Sequence, residues 1–309
     1  MTDIYRPASD QKVDVDVGGR TVTVPKGGLY DRYRMNPDLD EIARDPRVSG
    51  VEFFRSLPKR SVDSPVGMTL TPNFYYRSSI AQLTMIAPTR AIRKRLPEEL
   101  APLEFAPGLG IISAVFYRYD VCDIDPYTEA LVAIVVRPPR HGRLGFVDLA
   151  AELVNDTAYA YVLSLPVNTE IAKVRGREVY GMPKWLTGLD VEIDDNRTSA
   201  RVANDSGGTD LSMSVVTPKQ RSYATGTHVS SLTALNKIGD AWHASLSQTN
   251  VLTAGRALFP RNVDLHVGEG RLADDIRSLK PIKTIRLDVL TEAQMALNVP
   301  TPTSVPERG

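Results

Sequence analysis

The chain has 309 residues, 42% hydrophobic and 24% charged, a globular balance that supports one large domain or two modest ones. Lysine plus arginine equals aspartate plus glutamate at 37 each, so there is no global basic footprint, and neither nucleic acid nor membrane is expected as a partner. The single cysteine, Cys122, excludes an intrachain disulfide framework. The start carries no basic-then-apolar leader, and apolar runs such as 130–136 span a strand, not a bilayer. A cytoplasmic protein is expected.

Residues 1–68 read as an N-terminal extension. Val13, Val15 and Val17 alternate with polar neighbours, Gly18-Gly19 intervenes, and Val22 and Val24 alternate again, which predicts a hairpin. Asn36-Pro37 ahead of Leu39, Ile42 and Ala43 predicts a short helix capped by Asn36. From residue 69 to 309 strands dominate. Alternation predicts them over 74–80, 82–86, 110–120, 128–137, 159–165, 190–193, 199–203, 211–216, 263–267 and 285–290, with a short helix over 89–95. The basic run Arg90–Arg95 then falls on a solvated helix face. Turn residues at short intervals favour an antiparallel barrel or sandwich with a few small helices (an α+β, mainly antiparallel β fold) over alternating βα units. Asn168-Thr169-Glu170 through Arg175-Gly176 predicts a further helix, with a cap, a first-turn acid, last-turn bases and a glycine stop.

The four histidines, His141, His228, His243 and His266, are scattered without metal-ligand spacing. Gly268-Glu269-Gly270 imitates a dinucleotide fingerprint but lacks the βαβ unit around it, so a turn is expected. Lys184 stands apart because Met182, Pro183, Trp185 and Leu186 surround it with apolar bulk. Such surroundings desolvate an ammonium and favour the nucleophilic free amine in a largely apolar cavity. The residues alone leave a second reading open, in which the lysine stem lies over Trp185 with its charge in water.

The segment Gly176-Arg177-Glu178 through Pro183-Lys184 resembles the signature of the acetoacetate decarboxylase family. Ala91 to Leu100, with its Leu96-Pro97-Glu98, the run Tyr127-Thr128-Glu129, and Leu279 to Ile285 resemble further family segments in order, so the resemblance runs from about residue 73 to 305. It implies a β-barrel or cone and a Schiff-base lyase acting on a keto acid without a cofactor, as a homo-oligomer. It also implies Lys184 as nucleophile and Glu129 as the facing acid, a position otherwise read as a surface strand carboxylate. Arg77 takes the place of the arginine near the substrate carboxylate, with Tyr127, Met182 and Trp185 lining the pocket.

Two positions depart from the family pattern. Trp185 replaces a second lysine, and Ala114 stands where a second glutamate is expected, unless the alignment slips and Asp120 or Asp123 supplies it. Both departures predict that acetoacetate is a poor substrate. The alternatives are aldol, dehydration or cyclisation chemistry of the same superfamily, or a binding module without turnover.

Overall fold

The computed structural model describes residues 11–138 and 157–305, so His141 lies outside the described residues. In chain order the strands are β1 (Lys12–Asp16), β2 (Thr21–Pro25), β3 (Arg60–Val62), β4 (Thr69–Thr71), β5 (Asn73–Pro88), β6 (Glu104–Ala106), β7 (Leu109–Cys122), β8 (Tyr127–Val136), β9 (Thr157–Val167) and β10 (Lys184–Leu186). They continue with β11 (Leu189–Ile193), β12 (Arg197–Ala203), β13 (Thr209–Val216), β14 (Arg221–Ser222), β15 (Val229–Ile238), β16 (Ala241–Leu258), β17 (Asp264–Val267), β18 (Lys283–Leu297) and β19 (Thr301–Pro302).

The long strands close on themselves in the order β9-β15-β16-β18-β5-β7-β8 and back to β9. Every neighbouring pair is antiparallel except β15 with β9, which run parallel. Closure leaves the ring without a free edge. Because side chains alternate along a strand, the ring has two apolar faces. Tyr75, Val115, Tyr117, Tyr119, Leu131 and Leu165 belong to the cluster inside it. Leu83, Met85, Ile112, Ala114, Phe116 and Val132 belong to a second cluster outside it. The antiparallel sheet β11-β12-β13-β17 and the helix Arg271–Leu279 supply the other half of that outer cluster, through residues such as Val191, Val202, Leu211 and Leu272.

The extension does not stand apart. Val15, Val17, Val22 and Val24 of the β1-β2 hairpin pack in the same cluster as the barrel interior. Phe53 and Phe54 pack on Phe74, Tyr76 and Val121 of the barrel. Lys59 Nζ lies 2.6 Å from buried Asp123, whose carboxylate also accepts from Phe74 N and the Tyr76 hydroxyl, each at 2.7 Å. β3 pairs with β4 across position 68, so the line drawn from sequence falls between two bonded strands.

Local corrections follow from hydrogen bonding. Asp38, not Asn36, caps the helix Leu39–Ile42, accepting from Asp40 N at 2.8 Å. The stretches 74–80 and 82–86 form the single strand β5. The hairpin β15-β16 escaped prediction, because serine, threonine, asparagine and histidine interrupt its apolar alternation. At Gly268-Glu269-Gly270 the expected turn leads into the helix Arg271–Leu279, where the Asp210 carboxylate accepts from Leu272 N at 3.1 Å and Ala273 N at 2.7 Å. A side-chain anion therefore already sits at that helix start. No helix among the described residues is long and apolar enough to cross a membrane.

Asp125 sits where extension meets barrel, buried, at φ 68°, with Oδ2 unpartnered. Burial pushes its carboxyl up to about 6, against weaker backbone hydrogen bonds from Tyr30 and Leu29. In the unfolded chain it ionises near 3.8, so native stability falls as pH rises from about 4 to about 6 and stays reduced above that. Asp125→Asn tolerates the left-handed backbone and removes the buried charge. Its stability relative to wild type should rise by roughly 2–3 kcal/mol between pH 4 and pH 7.5 in urea unfolding. A pH-independent difference contradicts this.

Candidate active site

Lys184 is placed by a helix and a turn. The helix runs Glu170–Glu178, so it passes through Gly176 instead of stopping there. The turn comes at Gly181, with φ 62° and its N–H donating to Arg177 O at 3.1 Å. The glycine stop thus lies five residues later than the sequence suggested. Met182 N donates back to Gly176 O at 2.9 Å, and Lys184 then opens β10, which runs parallel to β9 with Lys184 opposite Leu165.

Gly176 has a specific task. A Cβ there would lie 2.1 Å from Lys184 Cδ and 2.5 Å from Cε. The lysine stem crosses the helix where no side chain stands. Asn168, predicted as the cap, instead bonds the neighbouring strand: its backbone N donates to Thr128 O at 3.3 Å, and its Oδ1 accepts from Thr128 N at 2.9 Å. That ties the start of the helix to the residue before Glu129.

Glu129 projects from β8 into the barrel. Its Oε2 lies 2.5 Å from Lys184 Nζ, although 55 positions separate the two residues. Both side chains are 8% exposed. The Tyr119 hydroxyl donates to Glu129 Oε1 at 3.3 Å, and Lys184 Nζ lies 5.6 Å from the centre of the Tyr127 ring. The Tyr75 and Tyr127 hydroxyls share a hydrogen bond of 3.1 Å. Burial first, and the Glu129 carboxylate second, push the Tyr75, Tyr119 and Tyr127 phenols well above their usual range. These hydroxyls therefore stay protonated and serve as donors.

Around the pair is a cavity of about 80 Å³, lined by five tyrosines (Tyr75, Tyr117, Tyr119, Tyr127 and Tyr180) together with Leu131, Val162, Leu165, Met182 and Met295. That is several times the ~10–15 Å³ that one water requires. Glu129 is the one carboxylate among its lining residues, and Lys184 and Arg175 are the cations. No group of three or more histidine, cysteine, aspartate or glutamate side chains able to hold a metal occurs among the described residues.

The structure brings together four of the residues singled out from sequence: Lys184, Glu129, Met182 and Tyr127. The other two lie outside that cavity, although Trp185 lines a second, more open pocket together with Lys184 and Met182. Arg77 lies outside the cavity lining, ion-paired with Glu292 at 2.8 Å. Trp185 follows Lys184 on the strand and so faces the other way, with the Arg271 guanidinium 5.4 Å from its ring. Ala114 belongs to the outer cluster, on the face of β7 opposite Tyr117 and Tyr119. Of the stand-in carboxylates, Asp123 is bound to Lys59 and Asp120 lies 3.1 Å from Arg118. The expectation against acetoacetate therefore loses Ala114, while Trp185 bears on Lys184 only from the second pocket.

One lining residue went unread. Arg175 is 3% exposed, with Nη1 donating to Thr69 Oγ1 at 2.9 Å and with Nε and Nη2 lacking any partner. From sequence it reads only as a last-turn base. Its spacing of four from Ile171 was the available signal, since that puts it on the helix's buried stripe.

The close approach at Gly176 is testable. In a double-mutant cycle of Gly176→Ala with Lys184→Ala, the two changes should couple by about 1–3 kcal/mol in urea unfolding, because truncating the lysine removes the clash. Additivity within about 0.5 kcal/mol contradicts the packing described.

The fold has recognisable relatives. The family described as acetoacetate decarboxylase (ADC) matches residues 63–288. No curated protein matches the chain. Among solved structures, the enduracididine biosynthesis enzyme MppR with HEPES bound superposes with a TM-score of 0.56 at 17% identity, covering 76% of this chain and 88% of that one. MppR complexed with the condensation product of pyruvate and imidazole 4-carboxaldehyde gives 0.54 at 16%, covering 75% and 89%. Acetoacetate decarboxylase from Legionella pneumophila subsp. pneumophila str. Philadelphia 1 gives 0.53 at 14%, covering 80% and 91%. The identities are low enough that these neighbours speak for the shared barrel alone, but the family match spans well over half of the chain. The protein belongs to the acetoacetate decarboxylase family.

Proposed function

We propose that this protein is a Schiff-base enzyme that activates the carbon beside the ketone of a keto acid, with Lys184 as nucleophile and Glu129 as proton carrier. The observation that carries the reading is the buried contact of 2.5 Å between Lys184 Nζ and Glu129 Oε2 inside a small tyrosine-lined cavity. A nucleophilic lysine must give up a proton, and a partner at hydrogen-bond distance is the residue to receive it. Glu129 takes the ammonium proton, and the free amine adds to the ketone carbon. Glu129 then returns the proton to the carbinolamine hydroxyl, which leaves as water and gives an iminium. Once more a carboxylate, Glu129 removes a proton from the adjacent carbon, and the electron pair moves into an enamine. A β-keto acid reaches the same enamine by losing carbon dioxide, and an added carbonyl compound turns it toward carbon–carbon bond formation.

The tyrosines support these steps. The Tyr119 hydroxyl, donating to Glu129 Oε1 at 3.3 Å, holds the carboxylate in place while its other oxygen faces the amine. That MppR has been solved with a condensation product supports bond formation as one outcome open to this architecture. The rival reading, a module that binds without turnover, drew on Ala114, which lies on the outer face of the barrel.

Glu129→Gln keeps the shape of the side chain and removes the proton carrier. Exchange of ketone α-protons in D₂O should fall by about 10²–10⁴. The extent of conjugated enamine reached at equilibrium with 2,4-pentanedione, read by ultraviolet absorbance, should fall by less than about tenfold, because losing a proton carrier slows the approach to equilibrium and not its position. Equal loss in both assays assigns Glu129 to building the site and removes it from the chemistry.

A further inference from the structure

The cavity holds an imbalance of charge that the Lys184–Glu129 pair leaves untouched. Lys184 and Glu129 neutralise one another, and nearby Lys59 and Asp123 do the same. Among the described residues no carboxylate forms an ion pair with Arg175. The residue is 3% exposed, and among the described residues its guanidinium makes one hydrogen bond, to the neutral Thr69 hydroxyl. Its Nε and Nη2 donors are unpartnered. A buried guanidinium without an anion is costly, and leaving charge-assisted donors unmade adds to that cost.

Two other lining residues share the deficit. Asn73 is 2% exposed, with both side-chain amide atoms unpartnered. Tyr180, 4% exposed, has its hydroxyl beside the Arg175 guanidinium without a well-formed hydrogen bond, and burial raises its phenol against the pull of that cation, so it remains a donor. A planar cation with two adjacent free N–H groups, an amide and a phenol form the donor set that a carboxylate accepts. The extension covers the helix at this end of the site. Hairpin residues Val22 and Val24 pack in the same cluster as Ile171 and Val174 of the helix, and Arg20 bonds Glu178 at 3.0 Å.

We propose that Arg175, with Asn73 and Tyr180, receives a substrate carboxylate that survives the reaction, so that the site works on the carbon beside the ketone of a 2-oxo acid instead of releasing carbon dioxide. The inference rests on the Schiff-base reading above and adds the fate of the carboxylate. Its physical basis is differential binding. A buried ion pair stabilises the carboxylate while its charge stays put. In decarboxylation that charge leaves for the iminium, carbon dioxide departs neutral, and Arg175 is again unpaired, so the pairing opposes the step. In α-proton removal the carboxylate keeps its charge, and the pairing holds throughout. The balance is that of the enamine steps above: one proton moves from carbon to Glu129 and back, and hydrolysis frees the acid unchanged.

The test uses the full chain in D₂O with pyruvate and acetone as probes, followed by proton NMR, with carbon dioxide release from acetoacetate measured in parallel. Wild type should exchange the pyruvate methyl protons faster than it releases carbon dioxide from acetoacetate. Arg175→Gln should lower the ratio of pyruvate to acetone exchange at least tenfold, mainly through KM, and Arg175→Lys should restore part of it. An unchanged ratio, or carbon dioxide release that outpaces exchange, overturns the proposal.

Should wild type exchange neither probe, the Schiff-base reading fails, and binding of lactate by calorimetry judges the carboxylate site independently. Lactate has no ketone, so its loss in Arg175→Gln upholds the subsite and its persistence removes it. Because Arg175→Gln leaves a buried amide where a cation stood, Asn73→Asp serves as the variant of matched shape. It keeps Arg175 and adds a competing carboxylate, so lactate binding and pyruvate exchange should both be lost, and retention of either contradicts the assignment.

Discussion

A lysine ammonium removed from water must find a counter-charge or lose its proton, and in this protein one carboxylate meets that demand. The pairing of Lys184 with Glu129 joins the start of β10 to β8 across the barrel interior. Desolvating two charges costs several kcal/mol each, and their attraction repays it only when the geometry is held tightly. The surrounding architecture supplies that hold. Closure of the seven-stranded ring fixes β8 against β9, the helix Glu170–Glu178 is fastened to β8 through Asn168, and Gly176 leaves the gap through which the lysine stem passes. A pair built from such distant parts of the chain requires the fold to be complete before the site exists.

The same constraint explains the extension. Residues 11–62 lie outside the family match at 63–288, yet the valines of their β1-β2 hairpin belong to the barrel's own interior cluster. By covering the helix that carries Arg175, they hold the cavity at low polarity, where a charge–charge contact is worth far more than in water. Lys59 works the same way at the junction. Its contact with Asp123 ties the extension to the strands that border the cavity, and burial pushes the Lys59 ammonium down while raising the Asp123 carboxyl.

Much of the barrel was legible in the sequence because closed sheets leave a plain mark: short alternating runs separated by turn residues. The hairpin β1-β2 and most of the strands from β5 onward followed from it. What escaped had a physical reason in each case. β15 and β16 carry polar residues at positions that alternation leaves unmarked, so period-two hydrophobicity gave no sign of them. The helix Glu170–Glu178 was cut short because Gly176 reads as a stop, when its missing side chain serves the lysine instead. Ala114 and Trp185 were drawn into the site by counting along motifs, which ignores the strand parity that sends both outward. Arg175 was missed for the opposite reason, since a basic residue near a helix end is explained by the macrodipole before any other role is considered. Lys184 and Glu129 were found through a resemblance, because no local pattern joins residues that meet only in three dimensions.

The central claim is that Lys184 is the nucleophile of the cavity. Reduction with borohydride in the presence of a keto acid, followed by peptide mapping with mass spectrometry, tests it most directly. The account predicts one adduct, carrying the acid's mass less one water and plus the two reducing hydrogens, on the peptide that contains Lys184, and no adduct in Lys184→Ala. An unmodified Lys184 under conditions where another lysine is trapped would contradict it.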